Sequence, residues 1–181
     1  MKKESILVFC GSANGNDPIF QQAAEALGTL IGQQGRKIVY GAGSRGLMGE
    51  VSRAAIRNGA YAIGVNLKRF EKPEYRQEVD EYYSTPDLQA RKTLMMNKCD
   101  ACIALPGGIG TLDEIGDALS MLQLGLTNKP LGILNVDGYF DPLLAMFDRM
   151  SECGFLQDKH RHIILADSDP ARLLMALDSI D

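Results

Sequence analysis

The chain has 181 residues, 45% apolar and 23% charged; this is ordinary globular composition, long enough for one domain with its own core, and it excludes a disordered or coiled-coil chain. Nineteen basic against 23 acidic side chains leave a net charge of −4, without the basic footprint of a dedicated nucleic-acid binder. No apolar run reaches the roughly 18 residues of a membrane span, and the run at 6–10 is too short for a signal-peptide core, so a soluble cytoplasmic protein is expected.

Residues 5–10 are an apolar run ending at Gly-Ser, which predicts a buried strand. Asp17-Pro18 supplies a capping residue followed by proline at the first helical position. Ala23, Ala24, Leu27, Leu30 and Ile31 then recur at helical spacing, predicting a helix over 17–34. A strand follows at 37–41, a helix at 46–58 and a strand at 61–65, and residues 66–78 are polar and irregular. Strands at 79–84, 100–106 and 131–136, helices at 86–98, 111–124, 138–152 and 170–180, and a short strand near 162–166 complete the series. Apolar strands alternating with helices imply a parallel sheet covered on both faces. No repeat, low-complexity stretch or linker divides residues 1–181. The expectation is a single α/β domain, a Rossmann-like, doubly wound and mainly parallel sheet with helices on both faces. Such sheets bind ligands at the carboxyl ends of their strands, near the switch in strand order.

The four cysteines are Cys10, Cys99, Cys102 and Cys153. The C-x-x-C at 99–102 has the spacing of a redox pair or half a zinc site. A zinc site wants a second ligand pair, which is missing, and His160 and His162 are only two apart. Cys102 enters an apolar run rather than opening a helix, so these are read as small buried residues at a strand start. No metal is expected.

Two glycine loops lie at strand ends. Gly41, Gly43 and Gly46 form G-x-G-x-x-G after a strand and before a helix, the context of a dinucleotide fingerprint. The acidic residue wanted about 20 positions on is missing, because Asn66, Lys68 and Arg69 occupy that region. The loop therefore suits a phosphate better than NAD, and a tight turn with close helix packing would use the same glycines. The second loop, 105–114, reads LPGGIGTLDE. Gly107, Gly108 and Gly110 leave backbone N–H groups open to an anion, Thr111 adds a hydroxyl, and the following helix adds its dipole. No Lys-Ser/Thr pair follows, so it is not an ATPase P-loop.

Glu114 has two readings. Thr111-x-x-Glu114 is a capping box, and one turn beyond a phosphate loop the same carboxylate reaches a bound sugar. Asp113 is the lesser candidate. Arg91, Lys92 and Arg45 read either as solvated cations or as ligand contacts.

Together, VFCGS at 8–12, GSRGLMG at 43–49, Arg91-Lys92, PGGIGTLDE at 106–114 and LGILNVDGYFDPLL at 131–144 resemble the LOG family of cytokinin riboside 5′-monophosphate phosphoribohydrolases, often labelled lysine decarboxylase-like. The resemblance runs from about residue 5 to about residue 178. It implies cleavage of the N-glycosidic bond of a nucleoside 5′-monophosphate, a cytokinin riboside monophosphate or AMP, to free base and ribose 5-phosphate. It implies catalytic roles for Glu114 and Arg91. It places Gly107, Gly108, Gly110 and Thr111 in the phosphate loop, Gly43, Ser44 and Gly46 beside the nucleotide, and Lys92 alongside the arginine. Two departures stand out: Gly41-Ala42-Gly43 where relatives have three glycines, and Leu88-Gln89-Ala90 where they have Met-His, which touches base preference.

The residue types suit the reaction. Positive charge grows on the ribose in an oxocarbenium-like state, which a carboxylate stabilises. Guanidinium is too weak an acid to be the proton donor, so Arg91 is assigned to holding substrate and orienting Glu114. No cofactor is called for. The alternatives are a carrier of a nucleotide or of molybdenum cofactor, and a pyridoxal phosphate-dependent lysine decarboxylase built on Lys92 or Lys98. Apolar segments at 93–97 and 119–126, with the resemblance, lead us to expect a homodimer.

Overall fold

The computed structural model describes residues 1–71 and 78–180. The expected irregular segment at 66–78 therefore lies partly outside the described residues. Its first part continues the third strand to Leu67 and then makes a 3-10 turn, Lys68–Phe70.

Among the described residues seven strands form one sheet: β1 Ser5–Phe9, β2 Lys37–Tyr40, β3 Tyr61–Leu67, β4 Glu81–Thr85, β5 Ala101–Ala104, β6 Leu131–Leu134 and β7 Ile164–Asp167. The helices between them are α1 Pro18–Gln33, α2 Gly46–Arg57, α3 Leu88–Asn97, α4 Ile109–Gln123, α5 Asp141–Glu152, α6 Asp158–Arg161 and α7 Pro170–Asp178. The spatial order is β4-β3-β2-β1-β5-β6-β7, and every neighbouring pair is parallel. The chain winds outward from β1 to β4, then returns to the other side of β1 with β5. That reversal is the switch point of a doubly wound sheet, and the carboxyl ends of β1 and β5 flank it.

Residue alternation along β1 explains the two faces. Ile6, Val8 and Cys10 pack with Leu27 and Ile31 of α1, Val51 of α2 and Leu173 of α7. Leu7 and Phe9 point the other way, onto Met95 and Met96 of α3 and Ile115 of α4. The first helix starts where its sequence signal stands: the Asp17 carboxylate accepts the Ile19 N–H at 2.9 Å, with Pro18 opening the helix. Asp87 caps α3 in the same way, accepting the Ala90 N–H at 2.8 Å. The short α6 has no counterpart among the predicted elements; at four residues it is below any periodicity signal.

Candidate active site

A cavity of about 540 Å³ opens over the switch point, at the carboxyl ends of β1, β2, β3 and β5. It is within the size range of small-molecule sites. Of the residues singled out in the sequence, Gly41, Gly43, Ser44, Arg45, Arg91, Gly108, Gly110, Thr111 and Glu114 line it.

The floor on the β5 side is the start of α4. Gly108 is its N-cap and has no side chain with which to bond the first-turn N–H groups. Such groups lack partners within the helix and carry the positive end of its dipole. A Cβ at Gly108 or Gly110 would meet no protein atom within 4 Å, so both glycines face open space. The helix begins two residues before the expected 111. Thr111 is therefore not its cap but a buried first-turn residue, and the capping-box reading of Glu114 does not hold. Glu114 lies in the second turn, too far along to cap.

Its partner is Arg91. Arg91 Nη1 donates to Glu114 Oε1 at 3.3 Å, and Arg91 Nε donates to the Val65 carbonyl at 2.9 Å. The guanidinium is thereby anchored to the end of β3 while its fork faces the cavity. It passes the loop after β2 so closely that a Cβ at Gly41 would stand 2.1 Å from Nη2, so any side chain there would have to displace the guanidinium. The two side chains are 13% and 12% exposed. Burial raises the Glu114 carboxyl above the ordinary carboxylate range, against the opposing pull of Arg91.

Lys92, Gly46 and Gly107 are not brought to this cavity. Lys92 reaches Asp113 Oδ2 at 3.2 Å and Asp117 Oδ1 at 3.6 Å, and so ties α3 to α4. The reason is geometric: neighbours on a helix diverge by about 100°, so Arg91 and Lys92 cannot both face one site. Gly46 opens α2 at a φ of +62°, packed against Ser12 and Ala13. Gly107 lies under Thr111 and Gly11, and its carbonyl accepts the Tyr139 hydroxyl at 2.5 Å.

Sequence reasoning gave no site role to several other lining residues, Gly11 and Ser12 after the first strand and Met48, Leu67 and Phe70 in the wall; Leu88, expected to bear on base preference, lies in that wall too, with Cys10 and Asn66. A strand end at the switch point was the available signal for Gly11 and Ser12. Burial and the nearby Glu114 charge push the Cys10 thiol well up, with Arg91 opposing, so it stands neutral rather than as a nucleophile. Cys99 and Cys102 are free, buried and 3.9 Å apart at sulfur, as expected of packing residues at a strand start. Among the described residues no lysine lines the cavity; Lys98 bonds instead to Glu81 and Tyr83.

A family model described as "Possible lysine decarboxylase" matches residues 48–177. A relative from Oryza sativa subsp. japonica, named "Probable cytokinin riboside 5'-monophosphate phosphoribohydrolase", is 43% identical over 174 residues, which is 96% of this chain and 71% of the relative. Another, from Arabidopsis thaliana, named "Cytokinin riboside 5'-monophosphate phosphoribohydrolase", is 41% identical over 178 residues, 98% of this chain and 84% of the relative. Among solved structures, the molybdenum cofactor binding protein from Rippkaea orientalis superposes with a TM-score of 0.74 at 25% identity, covering 99% of this chain and 98% of its own. The match over most of the chain, and relatives above 40% identity across nearly its whole length, show that the chain belongs to the LOG family.

Proposed function

We propose that this protein hydrolyses the N-glycosidic bond of nucleoside 5′-monophosphates, cytokinin riboside 5′-monophosphates or AMP, to free base and ribose 5-phosphate. The observation that carries the reading is the Arg91–Glu114 pair, 3.3 Å apart, in a cavity next to an uncapped helix start. The names of the relatives agree with it.

In this reading the phosphate rests on the N–H groups at the start of α4, beside Gly108, Gly110 and Thr111, with Gly43 and Ser44 on the facing loop. Helix dipole and open N–H groups favour an anion there. The ribose then lies over Glu114. As the bond to the base lengthens, positive charge grows on the sugar, and the carboxylate stabilises it and orients the attacking water. Arg91, held by Val65, fixes the carboxylate and binds the substrate; it remains charged throughout. Gly46, Gly107 and Lys92 support the site from behind, by shaping the loops and joining α3 to α4.

The carrier reading draws on the likeness to the molybdenum cofactor binding protein, at 25% identity. It is the weaker one, because relatives named as hydrolases match at 41–43%. A decarboxylase would need a Schiff-base lysine, and none lines the cavity among the described residues.

The protein is read as working in the cytoplasm without nucleic acid: its cysteines are free, which fits a reducing compartment. No helix among the described residues is long and apolar enough to cross a membrane. A homodimer is the assembly we infer, since Ile109, Leu112, Leu124 and Leu126 on and after α4 are exposed apolar residues. Light scattering of the purified protein tests it.

The reaction is tested by incubating the protein with AMP, N6-isopentenyl AMP and the matching nucleosides, and following released base by chromatography. Base and ribose 5-phosphate from the monophosphates alone, lost in Glu114→Gln, is the expected result. Tight nucleotide binding without release would move the carrier reading to first place.

A further inference from the structure

Three loops wall the cavity, and they are joined in series through Gly11 and Met48. The Gly11 N–H donates to the Pro106 carbonyl at 3.0 Å, tying the loop after β1 to the loop after β5. The Met48 N–H donates to the Gly11 carbonyl at 3.2 Å, tying the first turn of α2 to the same loop. The last link is a side chain: the Gly43 N–H donates to Met48 Sδ at 3.2 Å, holding the loop after β2. Met48 lines the cavity as well. The loop packs tightly on this sulfur, since a Cβ at Gly43 would stand 2.9 Å from it and one at Gly41 3.0 Å.

A thioether is a weak acceptor, and leucine would fill a similar apolar volume. What leucine lacks is any acceptor for the Gly43 N–H. The main-chain links at Gly11 and Pro106 need no particular side chain; the residue type controls two holds on the loop, this sulfur at Gly43 and Arg53, whose Nη1 donates to the Ser44 carbonyl at 2.8 Å.

We infer that Met48 is a positioning residue for the proposed reaction: its sulfur holds Gly43 at the spacing where it meets the substrate, while Arg53 secures Ser44. Arg91 is secured independently by Val65 and Glu114. The role of Met48 is therefore in binding rather than in the chemical step. This rests on the hydrolase reading for its substrate, but not for its physical test.

The experiment compares Met48→Leu with Met48→Gln, whose amide oxygen restores an acceptor. In Met48→Leu, exchange of the Gly43 amide accelerates by about threefold, the low end of the effect of losing one hydrogen bond, as suits a weak acceptor. AMP affinity by calorimetry falls several-fold. KM for the monophosphate rises by a similar factor while kcat stays within twofold. In Met48→Gln, exchange, affinity and KM return toward wild type. Unchanged exchange and affinity in Met48→Leu, or a Met48→Gln protein as impaired as Met48→Leu, overturns the assignment. A wild-type protein that binds AMP without releasing base defeats the hydrolase reading alone, because amide exchange and affinity still decide the role of the sulfur.

Discussion

Arg91 and Glu114, 23 positions apart in the chain, meet at 3.3 Å in a cavity where each side chain is about one-eighth exposed. The pair is nevertheless one-sided. Burial outweighs the attraction of the guanidinium, and the Glu114 carboxyl lies above its ordinary range. For an acid whose folded value is raised, the folded state binds more protons than the unfolded state between the two values, so stability falls as pH rises through that window. Glu114→Gln removes this titration. Its stability relative to wild type is expected to increase as pH rises from about 4 toward 7. Urea melts at the two ends of that range check it, and a wild type that gains on the mutant with rising pH contradicts the raised carboxyl.

The same shift predicts the acid limb of the activity. The charged carboxylate is the form that stabilises an oxocarbenium-like sugar. kcat/KM should therefore fall with decreasing pH around a value above the ordinary glutamate figure of about 4.3. A limb at or below that figure would show that Glu114 is not the titrating group.

Removing the arginine should cost both activity and stability. Arg91→Ala leaves a buried carboxylate without its partner, a loss of about 3 kcal/mol where burial is deep, and activity falls at least a hundredfold. Because Glu114 then becomes still easier to protonate, the stability deficit shrinks as pH is lowered. Thermal melts across pH measure it, and a deficit independent of pH would mean that lost packing, not lost charge, is responsible.

Gly107 and Gly108 separate fold from site. A Cβ at Gly107 would stand 2.1 Å from Thr111 Oγ1 and 2.8 Å from the Gly11 nitrogen, whereas at Gly108 it would meet nothing within 4 Å. Gly107→Ala should destabilise the protein by about 2 kcal/mol through overpacking. Gly108→Ala should melt like wild type but bind AMP at least several-fold more weakly, since its methyl occupies ligand space. Equal AMP affinity in Gly108→Ala and wild type would remove the phosphate from this loop.

Lys92 should behave as a strut. Lys92→Met breaks its links to Asp113 and Asp117, with an expected loss of about 1 kcal/mol and kcat/KM within threefold of wild type. A loss of hundredfold or more in activity would place the ammonium at the substrate after all.

Much of this was legible along the chain. Uninterrupted apolar strands such as 101–104 could only be buried on both faces, which requires a parallel sheet with helices above and below. Asp17-Pro18 marked a helix start because capping chemistry is local. The start of α4 was misplaced by two residues because Pro106-Gly107-Gly108 offers no side-chain cap; Gly108 fills the role with its backbone, which leaves no side-chain signal in the sequence. The Thr111-x-x-Glu114 pattern was genuine as spacing, but it fell inside the helix rather than at its end.

By itself the sequence determined the order and type of the elements, the glycine loops at strand ends, and the residue types that a glycosidic cleavage needs, because propensity, capping and periodicity act over a few neighbouring residues. Only the tertiary structure decided which of those residues share a cavity. Winding in both directions from β1 brings the ends of β1, β2, β3 and β5 together, and a helix can aim only one of two adjacent cations at that point. Arg91 therefore faces Glu114 and Lys92 faces α4, while Met48, to which the motif at 43–49 assigned no role, ends with its sulfur on the Gly43 N–H.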